Sequence, residues 1–153
     1  MIRRLRRLGA AFLRASNTKR LLAIEALTWL IYARVVTLLP AKIYTRNLGD
    51  TAGSDQAPGP EAVEKARVIG AVVARVARLM PFRAVCLQQV IAVRRMLRRR
   101  GIPAIVNLGL SRGAEAVPDG DGGRQAHAWV VSGSTIVNGD HELEKFTIVG
   151  RFY

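Results

Sequence analysis

The chain contains one cysteine, Cys86, and two histidines, His127 and His141, with Asp140 directly before the second histidine. A thiol, an imidazole and a carboxylate are the parts of a nucleophile, a base and an orienting group, and together they perform acyl transfer through a covalent intermediate. Whether they form a site depends on the elements that carry them.

The segment QAHAWVVSGSTIVNGDH, residues 125–141, alternates like a strand, breaks at Gly133-Ser134 and resumes with Thr-Ile-Val. A two-residue turn with glycine in its first central position is the signature of a type II′ hairpin. Ideal pairing from that turn sets Ser132 opposite Thr135, Val131 opposite Ile136, Val130 opposite Val137, Trp129 opposite Asn138 and His127 opposite Asp140. Opposed residues share a face with Cβ atoms about 5 Å apart. The expected pair is therefore His127 with Asp140, the carboxylate selecting the imidazole tautomer and stabilising the imidazolium. Trp129 falls on the same face. His141 points to the other face and is read as solvated.

Cys86 follows PFRAV and opens a helix that runs to about Arg100, with Gly101 as its stop and Pro103 beyond. A helix N-terminus carries partial positive charge and unpaired N–H groups, which favour a thiolate and can hold a developing oxyanion. The competing reading of Cys86 is a small apolar residue on the stripe it shares with Val90, Val93 and Leu97. Gln88 and Gln89 lie within the first turn and are further oxyanion candidates. No pair of thiolate or imidazole donors has zinc spacing, so neither metal nor cofactor is expected.

The positioning elements follow from periodicity. LLAIEALTWLIYARVVTLLP places Ile24, Leu27, Ile31, Val35 and Leu38 at helical spacing, which predicts an amphipathic helix half-buried by that stripe; Glu25 and Arg34 argue against a membrane span. Residues 48–60, LGDTAGSDQAPGP, read as a linker. Pro60 then opens a second helix, with Val63, Ala66, Ile69, Val73, Val76 and Met80 as its apolar stripe and Pro81 after its end. From Ile102 the pattern turns to strands: AIVNLGL, a loop at 112–124, the hairpin, and KFTIVGRFY. The expected organisation is a basic helical N-terminal region over 1–47, the linker, and a catalytic core over 61–153. Helices followed by a small antiparallel sheet make an α+β fold.

The formal net charge of +13 predicts attraction to acidic partners. Seven Lys or Arg and no acid occupy the first 24 residues, and Arg14, Lys19 and Arg20 interrupt any secretory apolar run. The expected setting is cytoplasmic, which suits an unpaired cysteine; the basic lead-in is also compatible with peripheral membrane contact. A basic module binding nucleic acid or an anionic surface is the alternative from RRLRR and RRMLRRR, but only nine aromatics and no nucleic-acid motif accompany those clusters, so nucleic acid is disfavoured.

RAVCLQQVIAVRRMLRRRGIPAIVNLGL followed by AHAWVVSGSTIVNGD resembles the transglutaminase-like leader peptidases of lasso-peptide biosynthesis, the B proteins, and the N-terminal LLAIEALTWLIYARVVTLLP resembles their helical lead-in. The resemblance implies a papain-like or transglutaminase-like core in which Cys86 attacks a peptide carbonyl, His127 moves the proton and Asp140 orients the histidine. It further implies a ribosomal precursor peptide as substrate and an ATP-dependent lasso cyclase acting next. The first 50 residues look helical rather than like a small β-rich recognition domain, so a separate leader-recognition protein is the expected partner. Acyl transfer onto an amine would use the same acyl-enzyme and is the neighbouring reaction.

Overall fold

A computed structural model describes residues 16–40, 45–50, 57–111 and 125–153. The basic residues 1–15, residues 51–56 of the expected linker and the expected loop at 112–124 lie outside the described residues. Three helices precede a four-stranded antiparallel sheet: α1 (Asn17–Val36), α2 (Pro60–Ala77), α3 (Cys86–Arg98), β1 (Ile105–Ser111), β2 (Ala126–Ser132), β3 (Thr135–Asn138) and β4 (Phe146–Phe152). The order across the sheet is β3-β2-β1-β4, so the α+β arrangement expected from the sequence is present. Among the described residues no helix is long and apolar enough to cross a membrane.

The ends of the helices follow local chemistry. Pro60 sits in the first turn of α2, where its missing N–H costs nothing, with Glu61 beside it and Arg75 in the last turn, as the macrodipole favours. Helix α3 starts after Val85, whose extended backbone turns the chain in, and Gly101 beyond its end adopts a φ of 63°.

The core lies between the helices and one sheet face. Val90, Ile91, Val93 and Leu97 of α3 meet Val106 of β1 and Ala128 and Val130 of β2, while Ala66, Ile69 and Val73 of α2 close one side. Burying each of the larger aliphatic side chains contributes about 1.5–3 kcal/mol.

Helix α1 departs from the expected orientation. It buries Ala26, Leu30, Ala33 and Val36, whereas the stripe expected inside is outside: Ile24 is 51 %, Ile31 48 % and Leu38 70 % exposed. Both faces of this helix are apolar, so periodicity alone does not choose between them. The face bearing Ala26 and Ala33 has little side chain to hold its backbone away from neighbours, and it also carries Trp29 and Tyr32 to Arg95 of α3, whose guanidinium carbon lies 5.5 and 5.3 Å from the two ring centroids. Glu25 completes the junction by a two-point pair with Arg100, at 3.1 and 2.6 Å.

The hairpin also departs from its ideal. Ser132 pairs with Thr135 and Val131 with Ile136 as expected, but Val130 pairs with Asn138, so Val137 is an extra residue in β3. The bulge turns consecutive side chains inward, leaving Val137 and Asn138 only 8 % and 7 % exposed. It also sets the Val137 carbonyl against α2 at Gly70, where an added Cβ would come within 1.9 Å of the carbonyl oxygen. Helix packing, a tertiary demand, thus overrides the two-residue register.

Candidate active site

Cys86 is the first residue of α3, half-buried, with a free thiol. Position alone leaves the N–H groups of Cys86 and Leu87 without acceptors inside the helix. The carbonyl of Val85 already accepts the N–H groups of Gln88 and Gln89, at 3.0 and 3.2 Å. The turn leading into Cys86 is therefore well held, and the N–H groups at its tip, which have no acceptor among the described residues, are donors of the kind that can meet an oxyanion.

The two glutamines divide in role. Gln88 is 2 % exposed; its carboxamide accepts the Val85 N–H at 3.3 Å and donates to the Thr37 hydroxyl at 3.0 Å. It ties the start of α3 to the end of α1 through both heteroatoms of its carboxamide, a buried structural contact where the sequence suggested an oxyanion candidate. Gln89 donates to the Ala84 carbonyl at 3.0 Å, and its Oε1 lies 3.5 Å from Nδ2 of Asn138. Because Gln89 is three residues past Cys86 and on the same side of the helix, this contact brings the Cys86 end of α3 to the end of β3.

His127 lies one residue inside β2 and is partly buried. Its ring stacks on Trp129 with centroids 5.9 Å apart and meets Phe146 of β4 at 5.0 Å. His127 and Trp129 alternate with Ala128 and Val130, so these rings gather with Phe146 while Ala128 and Val130 serve the helix core. Trp129 is 5 % exposed and packs, as well as flanking the imidazole.

The expected cross-strand pair is not formed. With Val137 bulged, the chain after Asn138 advances by one position, and Nε2 of His127 reaches the main-chain oxygen of Gly139 at 2.9 Å instead of the Asp140 carboxylate. A carbonyl only accepts, so Nε2 carries the proton and Nδ1 is the basic nitrogen of the neutral ring. The same oxygen accepts the backbone N–H of His141 at 2.9 Å, which fixes its direction. Gly139 is needed there twice over: its φ is 83°, and a Cβ would fall 2.7 Å from the Ala128 oxygen and 2.8 Å from Cβ of Trp129. The Asp140 side chain is exposed, and His141, as expected, is solvated, with its side chain 82 % exposed.

The structure thus brings His127 to Gly139, and brings the Cys86 end of α3 to Asn138, the residue just before it. No hydrogen bond joins Cys86 to His127 among the described residues. The orienting carbonyl was not visible in the sequence, because any residue supplies one; the only trace was a glycine after the last strand residue.

A cleft of about 850 Å³ opens beside this end of the sheet, between α2 and residues 136–141, with Ala84 and Gln89 at its inner side. Comparison with known proteins adds one finding. The model of a family described as the transglutaminase-like superfamily matches residues 28–151, from within α1 to the last strand. No curated protein and no solved structure matches the chain.

Proposed function

From the premise that the chain belongs to the transglutaminase-like superfamily, which includes cysteine peptidases and acyltransferases, we propose that it is a cysteine peptidase that removes the leader from a lasso-peptide precursor. Two observations support the chemistry: a cysteine opens α3, and the Nε2–H of a histidine is held by the Gly139 carbonyl; the transfer of a proton between Cys86 and His127 is part of the proposal. The lasso assignment rests on the likeness of the Cys86 and His127 segments to the B proteins.

In the proposed reaction Nδ1 of His127 takes the Cys86 proton and the thiolate attacks the scissile carbonyl. The tetrahedral oxygen is received by the free N–H groups at the start of α3. The imidazolium returns its proton to the departing amine, which leaves as the new N-terminus of the core peptide. A water deprotonated by the same nitrogen then hydrolyses the thioester and regenerates the thiol. Asp140, the next residue, puts a carboxylate on the same turn as the Gly139 carbonyl. A separate leader-recognition protein delivers the precursor, and the lasso cyclase uses the freed amine.

Mass spectrometry of a precursor incubated with its recognition protein tests the proposal. A leader-sized fragment is expected with the wild type and none with Cys86→Ala. Equal cleavage by Cys86→Ala would overturn the mechanism, and a leader joined to an added amine would shift the assignment to acyl transfer.

A further inference from the structure

We infer that the cleft between α2 and the end of β3 holds an extended, acidic stretch of the substrate polypeptide. This deepens the peptidase reading and rests on it.

The floor of the cleft is one face of α2, where Ala71, Ala74 and Ala77 keep the helix surface low beyond the point at which the Val137 carbonyl rests on Gly70. Arg67 and Arg78 stand at its two ends, eleven residues and roughly 16 Å apart at 1.5 Å per residue. That length fits about five residues of extended chain. A cleft of about 850 Å³ with this elongated floor suits a strand of peptide better than a compact metabolite.

A second feature independently asks for a ligand. Asn138 lines the cleft and is 7 % exposed, yet among the described residues its Oδ1 has no hydrogen-bond partner while Nδ2 makes only the 3.5 Å contact to Gln89. A buried carboxamide oxygen without a donor costs about 1–3 kcal/mol. That oxygen is closed off from the cleft, so a main-chain N–H of a bound peptide satisfies it once the Asn138 side chain turns outward. Since Asn138 touches Gln89 on the Cys86 side of α3, a peptide held there leads toward the nucleophile.

Charge identifies the side chains. Arg67, Arg78 and Arg83 line the cleft against one carboxylate, Asp140. Arg67 has a 3.7 Å contact with Glu64, whereas Arg78 and Arg83 have no ion pair among the described residues. Guanidinium groups bind carboxylates through paired, charge-assisted hydrogen bonds, so glutamate or aspartate in the bound stretch is selected over neutral residues.

The test measures binding apart from turnover, using the full chain with Cys86→Ala. The probes are a fluorescein-labelled, glutamate-containing Gly-Ser peptide and its glutamine counterpart, read by anisotropy. The glutamate peptide is expected to bind at least tenfold more tightly. Arg78→Glu with Arg83→Glu is expected to erase that preference, while Arg151→Glu on β4, away from the cleft, keeps it. Asn138→Ala is expected to weaken both peptides by a similar factor, because it removes a main-chain contact. Melting curves identify any variant that is unfolded, and the exposed arginines are the variants least subject to that.

Equal binding of the two peptides would overturn the inference. So would an equal effect of Arg151→Glu, which would assign the binding to overall charge, or displacement by an oligonucleotide that survives the cleft substitutions. Because no cleavage is involved, failure here leaves the Cys86 mechanism standing, and loss of cleavage would not abolish the binding.

Discussion

A carbonyl that holds an imidazole N–H and a carboxylate that does so differ in one respect: only the carboxylate adds a full charge. In this site direction comes from Gly139, and the proposed mechanism takes charge from the next residue, Asp140. Asp140→Asn is therefore expected to lower turnover of the precursor by about tenfold, the scale of about 1.4 kcal/mol, while His127→Ala abolishes it. Steady-state cleavage by the three proteins checks the order, and equal losses for the two variants would return the orienting role to the carboxylate. Gly139→Ala attacks direction itself, since a residue with φ of 83° and no room for Cβ must shift the carbonyl. It is expected to reduce kcat more than Asp140→Asn does and to lower stability by about 1–3 kcal/mol, measured by urea unfolding. The spacing argument at residue scale placed His127 on the hairpin, but it paired the ring with Asp140 where the structure gives the Gly139 carbonyl. Alternation counts residues, and a bulge consumes one without changing the composition.

At the scale of elements, two contacts decide how the helices sit. Gly70 lets the α2 backbone touch the Val137 carbonyl, and Gly70→Ala is expected to cost about 1–3 kcal/mol by forcing that helix and strand apart. The expected readout is a lower urea midpoint together with weaker peptide binding in the adjoining cleft. The junction of α1 and α3 is electrostatic at its rim. The hydrogen bond from Arg100, foremost, holds the Glu25 carboxyl below its ordinary value of 4.5, with smaller help from the charges of Arg100 and Arg99 and a hydrogen bond from Trp29, against opposition from burial. A carboxyl lowered on folding stabilises the folded state fully above its unfolded value, and the benefit is lost as pH falls through its folded value. Glu25→Gln should therefore be less stable than wild type by about 0.5–1 kcal/mol near neutrality, allowing for solvent screening. The two proteins should converge as pH drops below 4.5. Unfolding midpoints across pH test this, and a constant difference into acid would show that the charge is not the cause.

For the whole molecule, the excess of positive charge and the outward apolar face of α1 set behaviour in solution. Leu21, Ile24, Ile31, Val35 and Leu38 form a continuous exposed stripe, larger than isolated surface hydrophobics require. Ile31→Glu with Val35→Lys is expected to raise the soluble concentration limit several-fold, seen by light scattering, without moving the urea midpoint, because neither side chain belongs to the core. A lowered midpoint would show that the stripe supports the fold.

The sequence by itself determined the order of helices and strands, the helix-opening position of Cys86 and the hairpin turn at Gly133-Ser134. Those features are local: proline and glycine signals, period and turn chemistry act over a few residues, so neighbouring sequence is enough to read them. Only the tertiary structure decided which apolar face of α1 is buried, that Gln88 is a structural tie, that Val137 bulges and that Gly139 receives His127. Each of those outcomes is a competition between alternatives of similar local merit. The winner depends on how closely backbones approach, as where Ala26 and Ala33 let α1 settle inward and Gly70 admits the Val137 carbonyl, and no count along the chain contains that distance.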